Sequence, residues 1–146
     1  MADFSLSAGC VIFVHSLFRS GSTYFYFALK RTGKFHVYHE PMHEVIASLA
    51  SSWSDLTGRK EELKLTLRHD FLEGGYFDEF SELLPGIKQV FDPKFSFDYY
   101  FLYAGDEAPD MKAYIDLLKD GASKPPILQC TRTSGRIDWL KHNYKS

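Results

Sequence analysis

The chain has 146 residues, 45% apolar and 25% charged, which suits one globular domain with a sizeable core. Its formal net charge of −2 argues against a broad nucleic-acid-binding face while leaving room for a small, local anion site. No apolar run reaches the length of a membrane span, and residues 1–8 lack the basic stretch of a secretory signal, so a cytoplasmic location is expected. Cys10 and Cys130 both lie in apolar, strand-like runs and are expected as buried thiols, not as a disulfide.

In chain order, residues 9–15 form a short, continuous, β-branched apolar run, the pattern of a strand buried on both faces. A Ser/Gly loop follows, then residues 24–31 as a helix ending before Gly33, then a second short strand at 35–38. This is strand–loop–helix–strand, the opening of a parallel α/β sheet with a right-handed crossover. Residues 43–51 and 59–72 read as helices, with breaks at Gly74-Gly75 and Pro85-Gly86. Residues 90–103 are rich in aromatics without a clean period, which favours core packing over a pocket lining. Residues 109–119 read as a helix with Pro109 in its first turn, Gly121 past its end, and Met111, Tyr114, Ile115 and Leu118 on one face. Residues 127–131 read as a further buried strand and 134–144 as a helix, with Ile137, Leu140 and Tyr144 inward. A parallel sheet would place its next strand after that helix. The expectation is therefore a single α/β domain over residues 1–146 that is the front part of a larger one, with an open sheet edge inviting self-association.

The loop carries the clearest chemistry. A strand feeding a Gly/Ser turn that opens a helix gathers backbone N–H groups at the positive end of the helix dipole, where an anion is favoured. Gly21 lets the backbone approach a phosphate, Ser20, Ser22 and Thr23 offer hydroxyls, and Arg19 offers a two-point guanidinium grip. The Walker pattern fails at both defining positions, because Ser16 stands at its first Gly and Ser22 at its Lys.

Phe18, Arg19, Ser20, Gly21, Ser22, Thr23 and Tyr24, after a buried strand, resemble the 5′-phosphosulfate loop of the sulfotransferases. The resemblance implies a P-loop-type parallel sheet flanked by helices. It also implies 3′-phosphoadenosine 5′-phosphosulfate (PAPS) as donor co-substrate, no metal, and a hydroxyl-bearing carbohydrate, lipid or small molecule as acceptor. Arg19, Ser20, Gly21, Ser22, Thr23 and Tyr24 would then hold the donor, with Arg19 also stabilising the charge that develops on the leaving phosphate. Several bacterial-type members place a Glu-Pro pair after the second strand, where the Glu is general base on the acceptor. Glu40-Pro41 matches it, with His39 as competing base beside the acceptor. His39, Glu40 and His43 also spell the His-Glu-x-x-His zinc pattern, but Pro41 keeps the two histidines off one helical face.

The segment at 126–141 resembles the strand and helix that precede the family's 3′-phosphate motif. Arg132, at the end of its strand, is expected to face the transferred group or the acceptor. Arg136 reads as a solvated or structural helix residue, and Trp139 as core. The 3′-phosphate motif itself, a strand leading to Arg-Asn-Pro with a later Ser, has no counterpart in this sequence. The rival readings are another phosphotransfer enzyme of the P-loop class, and a truncated or degenerate domain that binds nucleotide or a partner without catalysis.

Overall fold

The computed structural model describes residues 10–17, 20–47 and 77–144. It is mixed α/β. Strands β1 (Ile12–His15), β2 (His36–His39) and β3 (Pro126–Cys130) form one parallel sheet in the order β1-β3-β2. Helix α1 (Ser22–Arg31) joins β1 to β2. After β2 come a 3-10 segment (Asp78–Leu83), α2 (Leu84–Val90) and α3 (Pro109–Asp120). Beyond β3, a 3-10 turn (Ser134–Arg136) leads into α4 (Ile137–Asn143). Helix 59–72 and the Gly74-Gly75 break lie outside the described residues, as do residues 48–51 of the helix expected from 43; residues 45–47 are helical. Among the described residues no helix is long and apolar enough to cross a membrane.

The strands sit where the apolar runs put them, within a few residues. β3 is central and buried at every position, which is why its run is continuous and not alternating. Register sets Ile12, Ile127 and Val37 side by side in one row, and Phe13, Leu128 and Tyr38 in the next. The first row faces α1, whose Tyr26, Phe27 and Leu29 pack on it. The second faces a larger core containing Phe80, Ile87, Phe95, Trp139 and Leu140, together with Met111, Tyr114, Ile115 and Leu118 of α3. That last stripe has the i, i+3, i+4, i+7 spacing of a buried helix face, as the sequence predicts.

Three expectations need correction. Pro85-Gly86 is not a break: both lie in the first turns of α2, where a missing N–H costs nothing. Cys10 is only half-buried, although both cysteines are free thiols. The single helix expected at 134–144 is a 3-10 turn followed by α4, because Arg136 leaves helical geometry at the junction (φ −119°, ψ 7°). Its guanidinium is wholly buried, with Nε on the carbonyl of Tyr99 and Nη2 on that of Phe95. Arg136 is thus structural and not solvated. It ties the aromatic segment, whose Phe91, Phe95 and Tyr99 pack inward, to the start of α4. Burial lowers its pKa to about 10. Trp139 is core, as expected, and its indole N–H donates to Asp106 O at 3.1 Å.

The same junction brings two backbones together. A Cβ on Gly135 would press on the carbonyl oxygen of Tyr100 and lie 2.8 Å from the Phe101 ring, while Leu102 N–H donates to Gly135 O at 3.0 Å. The two segments cannot part without breaking that bond. Gly135→Ala is therefore expected to lower stability by about 1–3 kcal/mol in urea unfolding. Gly105→Ala, whose Cβ would enter open space, should stay within about 0.5 kcal/mol of the parent.

Candidate functional site

Parallel α/β sheets offer ligands the edge where their strands end, because the connecting loops open there. In this sheet that edge gathers His15 and Ser16 at the end of β1, His39 and Glu40 at the end of β2, and Thr131, Arg132 and Thr133 after β3.

On the α1 side, the loop from β1 turns on Ser20, whose N–H and hydroxyl both donate to Leu17 O at 3.1 and 2.6 Å. Gly21 then opens the helix with φ 82°, a left-handed conformation that glycine adopts at little cost, and its carbonyl accepts the N–H of Phe25 at 3.1 Å. No side chain caps the helix at Gly21, and its first turn holds no acidic residue. The positive end of the α1 dipole is therefore left without a carboxylate of its own. Ser22 and Thr23 are half-buried in that turn, whereas Tyr24 is 76% exposed. Arg19 lies outside the described residues.

Below this turn runs a row of linked polar groups of which the sequence reading named only His39 as a site residue. Gln129, near the end of β3, is fully buried. Its Nε2 donates to Ser16 Oγ at 2.9 Å, and its Oε1 meets His39 Nδ1, so the amide joins the ends of β1 and β2 across the central strand. With the amide in this orientation, His39 carries its proton on Nδ1. The His39 ring lies 4.6 Å from that of Tyr26. The His39 N–H donates to Glu79 Oε1 at 2.9 Å, Tyr26 donates to Glu79 Oε2 at 3.1 Å, and Lys30 donates to the Tyr26 oxygen at 2.9 Å. Glu79 thereby closes the outer edge of β2. Burial pushes its carboxyl up from the ordinary range, against the pull of the His39 N–H and Lys30. At the end of β1, His15 Nδ1 pairs with Thr133 Oγ1 at 2.6 Å, and desolvation followed by Lys141 lowers its pKa.

The second group forms around Glu40, which sits at φ 47°, a backbone conformation uncommon for a side chain of this size. Its N–H continues the ladder to Gln129 O at 2.7 Å, and Oε2 accepts the N–H and hydroxyl of Thr131 at 3.2 and 3.0 Å. Arg132 places Nη1 3.9 Å from that oxygen and Nη2 3.3 Å from Glu44 Oε2, and His43 Nδ1 lies 3.4 Å from the same Glu44 oxygen. Tyr114 of α3 donates to Pro41 O at 2.7 Å from within the core. Burial raises the Glu40 carboxyl above its ordinary value, opposed by Thr131 and then Arg132. Burial likewise lowers His43, helped by Arg132.

Of the residues read from the sequence, the structure thus brings Glu40 and Arg132 together. It sets His39 beside Glu40 in the chain but on the opposite side of the sheet, locked between Gln129 and Tyr26. His39 ends a strand and His43 follows a turn, so the two do not share a helical face. A polar residue inside a continuous apolar run was the signal for Gln129, since a buried amide has to be partnered. Nothing local in the sequence marks Glu79. Comparison of the chain with protein-family models, with curated proteins and with solved structures finds no match.

The two raised carboxyls, Glu40 and Glu79, fix a pH dependence. A carboxyl whose folded pKa is raised stabilises fully below its unfolded value, near 4.5, and that stability is lost as pH rises through the folded value. The histidines lowered by burial act oppositely, losing their contribution as pH falls from 6.5 through their folded values. Glu40→Gln removes one acid and leaves the histidines in place. Its stability relative to the parent should therefore be higher at pH 8 than at pH 5 in paired urea unfolding curves. Parallel profiles would show that Glu40 ionises in the fold as freely as in the unfolded chain.

Proposed function

We propose that this chain carries the donor loop and catalytic base of a sulfotransferase, moving a sulfuryl group from PAPS to an acceptor hydroxyl. The observation that supports it best is that an uncapped helix start opened by left-handed Gly21 follows β1 and the buried carboxyl of Glu40 follows β2, both at the end of the sheet where its strands finish. The loop suits a phosphate: it has glycine at the point of close approach, hydroxyls at Ser22 and Thr23, and no competing acid in the first turn, while the Ser20 hydroxyl is spent on Leu17 O. Arg19 would add a guanidinium to that loop.

Glu40 accepts the proton of the acceptor hydroxyl as the acceptor oxygen bonds to sulfur. The sulfur–oxygen bond to the phosphate breaks in the same displacement, and adenosine 3′,5′-bisphosphate leaves with the electron pair. A carboxyl lifted by burial is a stronger base than one in water, which suits proton abstraction near neutral pH. Glu40 is favoured over His39, whose imidazole is 1% exposed behind Gln129 and Tyr26. Arg132 lies close enough to Glu40 to steady its charge and to meet an anionic group on the acceptor or the transferred sulfuryl.

Calorimetric titration of adenosine 3′,5′-bisphosphate tests the loop. Arg19→Ala should weaken binding by about 1.5–3 kcal/mol, the worth of a charge-assisted contact. Equal affinities would remove Arg19 from the site, and no heat from the parent protein would remove the donor site itself. A turnover assay tests the base. Glu40→Gln should lower the rate by about 10²–10⁴-fold with little change in nucleotide affinity. Nucleotide binding without turnover in the parent would make this a binding domain and not an enzyme.

A further inference from the structure

The Glu40 carboxylate is held by the end of another strand. Thr131, the residue after β3, sends its N–H and its hydroxyl to the same oxygen, Oε2, and is itself buried. The turn that presents Glu40 is pinned elsewhere as well. Its N–H is held by Gln129 O, its carbonyl accepts His43 N–H at 2.9 Å, and Tyr114 holds the carbonyl of Pro41. The left-handed backbone at Glu40 is a conformation that persists only where its surroundings enforce it. The charged and titratable groups facing the carboxylate are Arg132 beyond β3 and the Cys130 thiol within it, with Glu44 and His43 behind Arg132 and Tyr114 of α3 beneath the turn.

Two donors aimed at one carboxylate oxygen favour the anion, whereas burial favours the neutral acid. We propose that Thr131 is a positioning residue for Glu40: its hydroxyl and N–H fix where the carboxylate lies and keep it in the charged form that can accept a proton. As a statement about turnover this rests on the reading of Glu40 as general base; as a statement about the carboxylate it does not.

The test follows the Glu40 side-chain carboxyl by ¹³C NMR across pH in the full chain, with the resonance assigned by its loss in Glu40→Gln. Thr131→Val removes the hydroxyl at nearly constant volume and should move the Glu40 midpoint to higher pH by about one pH unit. Thr131→Ser keeps the hydroxyl and should bring the midpoint back close to the parent value. In the assay, the acid limb of kcat/KM should move with that midpoint. A second measurement needs no change at position 131: the amide proton of Thr131 should titrate with the Glu40 midpoint and fall silent in Glu40→Gln. A midpoint unmoved in Thr131→Val, or moved equally by Val and Ser, overturns the proposal. So does a Thr131 amide indifferent to Glu40, even where Thr131→Val fails to fold. A chain that titrates as expected but takes up no adenosine 3′,5′-bisphosphate loses the sulfotransferase reading and keeps this role for Thr131. A chain that binds the nucleotide while Glu40 ignores Thr131 loses this inference alone.

Discussion

An amide buried in the middle strand of a parallel sheet must find partners on both sides, and the end of this sheet where its strands finish is arranged around that requirement. Gln129 has no water to turn to, and each unpaired group on it would cost on the order of 1–3 kcal/mol. It is satisfied by Ser16 at the root of the loop and by His39 at the end of β2. Its backbone carbonyl accepts the N–H of Glu40 in addition. One residue thus ties the root of the loop between β1 and α1 and the carrier of the buried acid to the same strand. A hydrophobic side chain there would pack as well but would leave both neighbours free to turn.

The opposite face of the sheet solves a different problem. Its core is crowded with rings, among them Tyr38, Phe80, Phe91, Phe95 and Tyr114, and large aromatics do not fill space along a regular period. The segment from Phe91 to Tyr103 therefore passes through short 3-10 turns, and its carbonyls need partners that a helix would have supplied. Arg136 provides two of them from the far side of the core. Gly135 allows the close approach that this demands. The arginine is held at the junction of two elements, with its stem in the core and its head on backbone carbonyls.

How far the sequence could be read follows from these two faces. Strand β1 was legible because a continuous β-branched run has few other uses, β3 because a short apolar run follows the Pro125-Pro126 break, and α3 because its four core residues share one stripe. The boundary at Pro126 slipped by one residue because proline, though a poor strand interior, is tolerated at a strand's first position. Pro85-Gly86 misled for a related reason: a proline marks a break or a helix start, and only the surroundings decide which. Arg136 could not be placed from spacing, since a buried arginine pairing with carbonyls looks in sequence like a surface one. In the site, Glu40 and Arg132 were visible as polar residues at strand ends. Gln129 was visible in principle. Glu79 and Thr131 act through contacts with residues 40 and 91 positions away in the chain, which no local pattern encodes.

Glu40, which is buried, and Glu79, which is half-buried, show how similar desolvation can serve different ends. Both are lifted by desolvation. Glu79 spends one oxygen on the edge N–H of β2 and the other on Tyr26, so its carboxylate completes hydrogen bonds that the sheet edge would otherwise leave open. Its backbone is an ordinary helical turn. Glu40 closes no edge: its N–H is already in the ladder, and its side chain leaves the strand through a left-handed turn to reach Thr131 and Arg132. Stability alone would be served as well by a glycine at that φ, with no buried charge to solvate. A strained backbone and a desolvated carboxylate at one residue both work against the fold, and they coincide where α/β sheets bind their ligands. That coincidence is the physical ground for proposing Glu40, and not Glu79, as the base.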